Sequence, residues 1–370
     1  MKTICEHSKC TGCGVCQNVC PHDAITMKAD WSGFLRPGID STKCIDCGLC
    51  QKTCPANHSI QKFQFGKAIA FIEKNEKYLN RASSGGAFGA MARHIISLGG
   101  IVYGASMDGD YNVFYKGIET IDDLMPLHGS KYVQAYTGNV YREVKAHLKA
   151  GRFVLFCGCP CQVDALNKFL VKDYERLITM DLICHGVPSQ PYFRDYVHDL
   201  LKRRRKSGVK SFSFRYVSVS ESDVNDSSKS EVHVGWHNRD YYMTYFLWGK
   251  GYRPSCYQCK YAGGERNGDF TIGDFWNNDK AKIFKRIQHG ASLILINTDK
   301  AEALRHVFEN SGECHDMYTL EDAMPGAGGQ LMHPSKYDLR CKLIYVLYKT
   351  LGLVGPKLLF KLDNLRLRGK

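Results

Sequence analysis

The sequence predicts a mixed α+β or α/β chain in three parts. A small two-cluster, ferredoxin-like pattern of cysteines occupies residues 1–60, a larger mixed α/β domain 65–335, and a basic helical tail 336–370. Three observations predict this. The run Cys-x2-Cys-x2-Cys-x3-Cys-Pro occurs twice, at Cys10, Cys13, Cys16 and Cys20 and at Cys44, Cys47, Cys50 and Cys54. From Lys67 onward, segments of strand and helix pattern alternate. From Lys336 to Lys370, nine Lys or Arg face two Asp, a net charge of +7 (9 − 2).

The composition bounds the class. At 370 residues, 44% hydrophobic and 12% aromatic, the chain has the apolar material for two or three packed domains, which excludes global disorder. Its seventeen cysteines are clustered in motifs, and MKTICEHSKC lacks the apolar core of a signal peptide. Metal-bound thiolates in a reducing cytoplasm are therefore expected rather than disulfides. No stretch reaches 18 uncharged apolar residues, so no transmembrane helix is expected. The net charge of +13, with KRRRK at 202–206, suits a solvated basic surface. Nucleic acid and an anionic membrane are the alternatives. A nucleic-acid repair role lacks any helix-turn-helix or phosphate-binding signature.

The cysteine runs carry the first chemistry. Soft thiolates suit iron in a tetrahedral sulfur field. Three cysteines two residues apart wrap one cubane, while the fourth serves the other cluster, which is the bacterial two-cluster ferredoxin pattern. On this chain Cys10, Cys13, Cys16 and Cys54 would hold one [4Fe-4S] cluster, and Cys20, Cys44, Cys47 and Cys50 the other. Cys-x2-Cys pairs also make zinc ribbons. The doubled run, with Pro21 and Pro55 ending each local turn, sets this chain apart from those. Between the runs, DAITMKADWSGFLRPGID reads as short strands with turns at Ser32-Gly33 and Pro37-Gly38.

QKFQFGK reads as a connector and KAIAFIEK as the strand that opens the larger domain. ASSGGAFGAMARHIISLGG reads as a helix with Ser83 or Ser84 as its cap, Phe88, Met91, Ala92 and Ile95 on one face, and Gly99 or Gly100 at its end. IVYGASM and RFVLFCG read as strands, VDALNKFL as a helix, and RLITMDLICHG as a strand running into a loop. FTIGDFWN and ASLILINT read as further strands, and SESDVNDSSKSE as an exposed loop or hairpin tip. LIYVLYKTLGLVGPKLLF is apolar but interrupted by Lys349, Pro356 and Lys357. It is expected to pack on the body or on another subunit, with a surface-lying amphipathic tail as the alternative.

Six more cysteines sit in CGCPCQ, ICHG and SCYQCK. Cys161 and Cys184 each follow a strand, where the carboxyl ends of α/β sheets converge on ligands. With Cys256 and Cys259 they can close around a third [4Fe-4S] cluster. A structural zinc at the same residues, or metal-free thiols, are the alternatives. Cys5, Cys314 and Cys341 stand alone and read as small buried apolar residues.

The motifs SSGGAF, VYGA, GSKYVQA, CPCQVDAL, DLICHGVPS, RPSCYQCKYA and TIGDFW occur in an order that resembles the coenzyme F-420 hydrogenase/dehydrogenase beta-subunit family. The resemblance covers about 65–300. It is specific to the family but not to a substrate. It implies an iron–sulfur flavoprotein with FAD beside a [4Fe-4S] cluster. The choice of Cys161 follows the family position. Here the usual Gly-Thr-Pro-Cys loop reads Gly158-Cys159-Pro160-Cys161 after Cys157, so three thiols compete at one corner.

For FAD, neither GxGxxG nor a P-loop is present. Ser83, Ser84, Gly85 and Gly86 open a helix whose N–H groups suit a diphosphate. Gly129, Ser130 and Lys131 form a second phosphate candidate, and Gly273 with Asp274 ends a strand near the expected crevice. An ordinary cap and ordinary turns account for the same residues. His185, after a cluster cysteine, suits proton transfer or a hydrogen bond to the cofactors; a loop histidine with satisfied partners is the alternative.

The expected function is oxidoreduction. Electrons pass between ferredoxin-type clusters and a flavin that exchanges hydride with an organic substrate. An external ferredoxin or redox subunit is the expected partner. Contact of the basic tail with a membrane surface or a neighbouring chain is a further option, as is a homo-oligomer. Deazaflavin oxidation and a non-catalytic electron relay within a larger redox complex are the alternatives.

Overall fold

The computed structural model describes residues 3–60, 63–64, 66–204, 208–214, 229–233, 240–277, 284, 290–323 and 329–368. In the first domain the two cysteine runs are built alike. Helices Val15–Val19 and Leu49–Thr53 each start at a glycine in left-handed backbone, Gly14 (φ 76°) and Gly48 (φ 73°). Strands β1 (Ile25–Ala29) and β2 (Leu35–Ile39) pair antiparallel, from Ile25 opposite Ile39 to Ala29 opposite Leu35. The turn falls at Ser32-Gly33, but Pro37-Gly38 does not turn: both lie inside β2. A two-stranded ladder is all edge, and an edge tolerates a residue without an N–H.

The remaining strands are β3 (Phe63–Gln64), β4 (Lys67–Glu73), β5 (Ile101–Met107), β6 (Val113–Ile118), β7 (Val154–Gly158), β8 (Leu177–Leu182), β9 (Gly208–Ser213), β10 (Lys229–His233), β11 (Glu265–Arg266), β12 (Phe270–Asp274), β13 (Ser292–Ile296) and β14 (Gly312–Met317). Eight form one mixed sheet in the order β14-β4-β13-β12-β8-β7-β5-β6. Its centre, β12-β8-β7-β5, is parallel, and the flanking strands are antiparallel. β7 and β13 are buried along their whole length, as strands covered on both faces must be.

Helix Ala87–Ser97 covers one face, where Met91, Ala92 and Ile95 pack with Phe71, Leu155 and Ile294. The other face carries helices Val140–Lys149, Pro160–Leu170 and Tyr241–Leu247, and its core includes Cys13, Val15 and Phe34 of the first domain. The first domain thus shares a core with the second. Gly86, at φ 95°, caps helix Ala87–Ser97; neither Ser83 nor Ser84 does. Their hydroxyls are taken elsewhere: Ser83 Oγ accepts from Ser130 N and Ser84 Oγ donates to Ala291 O.

β9 and β10 pair in parallel as a separate two-stranded sheet, and residues 220–228 of SESDVNDSSKSE lie outside the described residues, as do residues 205–206 of KRRRK. The tail forms helices Leu339–Leu351 and Val354–Arg368. Cys341, Ile344, Tyr345 and Phe360 are buried against the body. The buried Asp363 accepts from Arg340 and Tyr245. Among the described residues no helix is long and apolar enough to cross a membrane.

Candidate functional site

The cysteines of the first domain sort into two groups. Cys10, Cys13, Cys16 and Cys54 line one cavity, together with Cys5 and Met27. Cys20, Cys47 and Cys50 are close enough to act on one another's charge. The fourth cysteine of each run therefore lies with the other run's group. Burial pushes the Cys13 thiol up to about 12 and Cys16 well above its ordinary value. Thiolates there need bound cations to offset desolvation. Cys5 does not stand alone. Its hydrogen bonds to Cys10 and Cys54, and then burial, hold its pKa far above the usual thiol range. The same contact is the first reason that Cys10 is held low; the guanidinium groups of Arg253 and Arg36 also favour its thiolate.

The two halves of the repeat meet different surroundings. A Cβ on Gly14 would come within 2.3 Å of Thr137 Oγ1, while on Gly48 it would meet nothing within 4 Å. Thr137 Oγ1 and Tyr141 Oη both donate to Cys13 O at 2.9 Å. Arg142 donates to Asn18 O at 2.7 Å and Cys20 O at 2.6 Å. On the other half, Cys47 is exposed, as are Ile45 (64%) and Leu49 (39%). The group with Cys10 is therefore internal, and the group with Cys47 faces solvent.

β7 and β8 are adjacent and parallel, so the residues after them emerge side by side. Cys159 caps helix Pro160–Leu170, Cys161 is the second residue of that helix, and Cys184 follows β8. Cys159 Sγ lies 3.8 Å from Cys184 Sγ. Burial is the main cause of the raised pKa of Cys161, and the charges of Cys184, Cys259, Cys13 and Cys256 add to it. Cys256 and Cys259 are also raised by burial first and by Cys184 next. Cys161, Cys184, Cys256 and Cys259 thus converge, with Cys159 as a fifth thiol and Cys13 of the internal group as a neighbour. Cys157 does not join them. It packs on the opposite face of the sheet with Ala87 and Met91, and burial pushes it up to about 12.

Beneath this group lies a buried ion pair. Asp181 Oδ1 accepts from Arg266 Nη2 at 2.7 Å, and Asp181 Oδ2 from Gly268 N at 2.9 Å. Both residues are almost fully buried. Among the described residues no three His, Cys, Asp or Glu side chains close on one point, as a lone metal ion would require. A four-iron cage instead takes one thiolate at each corner.

The residues expected at FAD fall into separate places. Ser83, Gly129, Ser130 and Lys131 come together, since Ser130 N donates to Ser83 Oγ at 2.6 Å and a Cβ on Gly129 would lie 4.0 Å from that oxygen. Lys131 Nζ donates to Pro126 O at 2.8 Å and His128 O at 2.7 Å, and burial lowers its pKa to about 7. Burial likewise brings His128 down to about 4, with Lys131, Arg93 and Arg81 contributing. Gly85 lacks a side chain because β4 and β13 crowd it: a Cβ would lie 2.0 Å from Phe71 O. At Gly273 a Cβ would lie 2.6 Å from Ile183 Cδ1. Asp274 ends β12, opposite Ser292. The His185 ring stacks on Phe246, 5.8 Å between centroids and 10° apart.

Residues 151–316 match the family described as the C terminus of the coenzyme F420 hydrogenase/dehydrogenase beta subunit. Residues 9–58 match the 4Fe-4S dicluster domain. Among solved structures, the chain is similar to one titled the F420-reducing [NiFe] hydrogenase complex from Methanosarcina barkeri, at 16% identity and a TM-score of 0.48, over 73% of this chain and 89% of that one. No curated protein matches. The two domain assignments make this an iron–sulfur protein of redox electron transfer.

Proposed function

We propose that this pairing of a 4Fe-4S dicluster domain with a coenzyme F420 hydrogenase/dehydrogenase beta-subunit domain is a flavin-dependent oxidoreductase that conducts electrons inward from its surface. One observation carries the reading: the three cysteine groups form a series. The solvent-facing group (Cys20, Cys47 and Cys50, with Cys44 as its fourth ligand by the spacing of the run) adjoins the internal one (Cys10, Cys13, Cys16, Cys54), and Cys13 of that group is close enough to Cys161 for their charges to interact. The donor sets fit [4Fe-4S] clusters: soft sulfur ligands in fours, buried in the internal group.

FAD supplies the exchange between single electrons and hydride. Its diphosphate would fit beside Lys131, Arg81 and Arg93 around Ser83 and Gly129, with Arg93 also paired with Glu73 and His128 neutral beside them. Arg93 Nη1 is buried with no hydrogen-bond partner among the described residues, and the Lys131 ammonium is satisfied only by carbonyls. An anion there would complete both. Lys131 would hold the diphosphate as an ammonium, and the bond from Ser130 N to Ser83 Oγ fixes the loop that carries it. His185, stacked on Phe246 beside Cys184, would hold or pass a proton at its ring nitrogens next to the bound flavin. The exposed Cys47 end receives an external ferredoxin. The substrate is an organic hydride acceptor or donor, deazaflavin among them. The exposed Val354, Leu358, Leu362 and Leu365 of the last helix favour a second reading, a relay subunit docked on a larger complex.

The test compares wild type with Cys44→Ser under anaerobic conditions. A reduced ferredoxin should bleach the flavin of wild type but not of the variant. A small chemical reductant should bleach both. Equal bleaching by ferredoxin would refute inward conduction. Turnover on an added acceptor separates the enzyme from the relay.

A further inference from the structure

Arg253 is 1% exposed and belongs to the larger domain, yet it reaches into the first. Its Nε donates to Cys10 O at 2.7 Å and its Nη2 to Leu35 O at 2.6 Å. Nη2 also lies 3.5 Å from Cys10 Sγ, and Nη1 donates to Gln134 Oε1 at 2.9 Å. None of these partners is a carboxylate. A buried cation without a counter-ion is strongly unfavourable, so the site is incomplete without negative charge. By contrast Arg36, which also touches Cys10 O, is paired with Asp30 at 3.1 Å.

The local sequence is shaped around this guanidinium. Gly12, between Cys10 and Cys13, has φ 69°, and a Cβ there would lie 2.6 Å from Arg253 Nη1. Phe34 faces the guanidinium from 5.5 Å. Three residues after Arg253 comes Cys256, whose N donates to Arg253 O at 2.8 Å. One short turn therefore sets a cation on the internal group and a thiol in the third group. The corresponding arginine at the solvent-facing group, Arg142, is only partly buried and bonds the carbonyl of Cys20.

We propose that Arg253, a positioning residue, raises the reduction potential of the Cys10/Cys13/Cys16/Cys54 cluster above that of the solvent-facing one, so that electrons entering at the surface settle next to the third thiol group. The inference rests on the cluster reading given above. Its physical basis is that hydrogen bonds to sulfur and local charge set cluster potentials. An added electron makes the cluster more negative, and an adjacent fixed cation favours that state.

The experiment is an anaerobic redox titration of purified holoprotein, followed by low-temperature electron paramagnetic resonance. Wild type, Arg253→Met and Arg253→Lys are each measured alone and with Cys44→Ser, which removes the outer cluster's signal. Arg253→Met should lower the inner midpoint by about tenfold in the reduction equilibrium, about 59 mV for one electron, and leave the outer midpoint in place. Arg253→Lys, which keeps the charge but loses the fork, should shift it by less. An unchanged inner midpoint in iron-replete Arg253→Met overturns the proposal. Loss of the inner cluster in both variants also overturns it, by making Arg253 structural. Wild-type protein with no cluster signal would instead refute the cluster reading itself.

Discussion

Cys159 Sγ and Cys184 Sγ stand 3.8 Å apart, one beyond each of two adjacent parallel strands. Four sulfurs around one zinc, each at about 2.3 Å, would have that spacing of ~3.8 Å, but Cys161 and Cys256 beside this pair do not complete a single-ion site among the described residues. Cys159 also caps its helix, a role Cys161 does not share. Cys161→Ser and Cys184→Ser should therefore each remove the third cluster, lowering iron from roughly twelve to roughly eight atoms per chain. Cys159→Ser should keep about twelve. Iron analysis after anaerobic purification decides it, and the opposite pattern would exchange the roles of Cys159 and Cys161.

Gly14 and Gly48 form an internal control. Both sit in left-handed backbone, where alanine costs about 1–2 kcal/mol. Only Gly14 faces the body, against Thr137. Gly14→Ala should cost that much plus about 1 kcal/mol for the displaced Thr137–Cys13 hydrogen bond. Gly48→Ala should show the backbone cost alone. Denaturant unfolding of the two variants measures the difference, and equal losses would mean that the domain contact adds nothing.

The Asp181–Arg266 pair is fully buried and holds the loop Asn267-Gly268 as well. Removing one partner strands the other charge. Asp181→Ala should therefore cost about 3–5 kcal/mol and loosen the third thiol group with it. A melting temperature within a degree of wild type would contradict this.

Lys131 supplies a pH signature. Its folded pKa is lowered to about 7 by burial, whereas the unfolded value is the ordinary lysine one, about 10.4. Between these values the unfolded chain binds a proton that the folded chain does not, so stability rises with pH across the window and is flat below it. Flavin-free protein should gain melting temperature from pH 7 to pH 9 relative to Lys131→Met. Added FAD should abolish the difference, because a diphosphate keeps the ammonium charged. A difference that persists with FAD would remove Lys131 from the cofactor site.

Much of this was legible in sequence because it is local. Ligand spacing, the crossed fourth cysteines and the strands ending at Gly158 and Leu182 are written within a few residues. What was not legible depends on distant contacts. Cys5 reads as an isolated apolar residue, yet the fold lays it on Cys10 and Cys54. Arg253 stands in the RPSC stretch, but its partner is 243 positions away. The close neighbours of Gly85 and Gly273, Phe71 O and Ile183, also come from distant positions that the motif does not reveal. The cysteine competition at residues 157–161 was resolved for Cys157 by strand alternation, which turns it to the opposite face of the sheet.

The central claim is that three sulfur-ligated clusters lead to one flavin. Quantifying iron, acid-labile sulfide and flavin in anaerobically purified protein tests it most directly. The account predicts roughly twelve iron and twelve sulfide per chain, from three four-iron cages, with one FAD. Roughly eight iron and no flavin would contradict it.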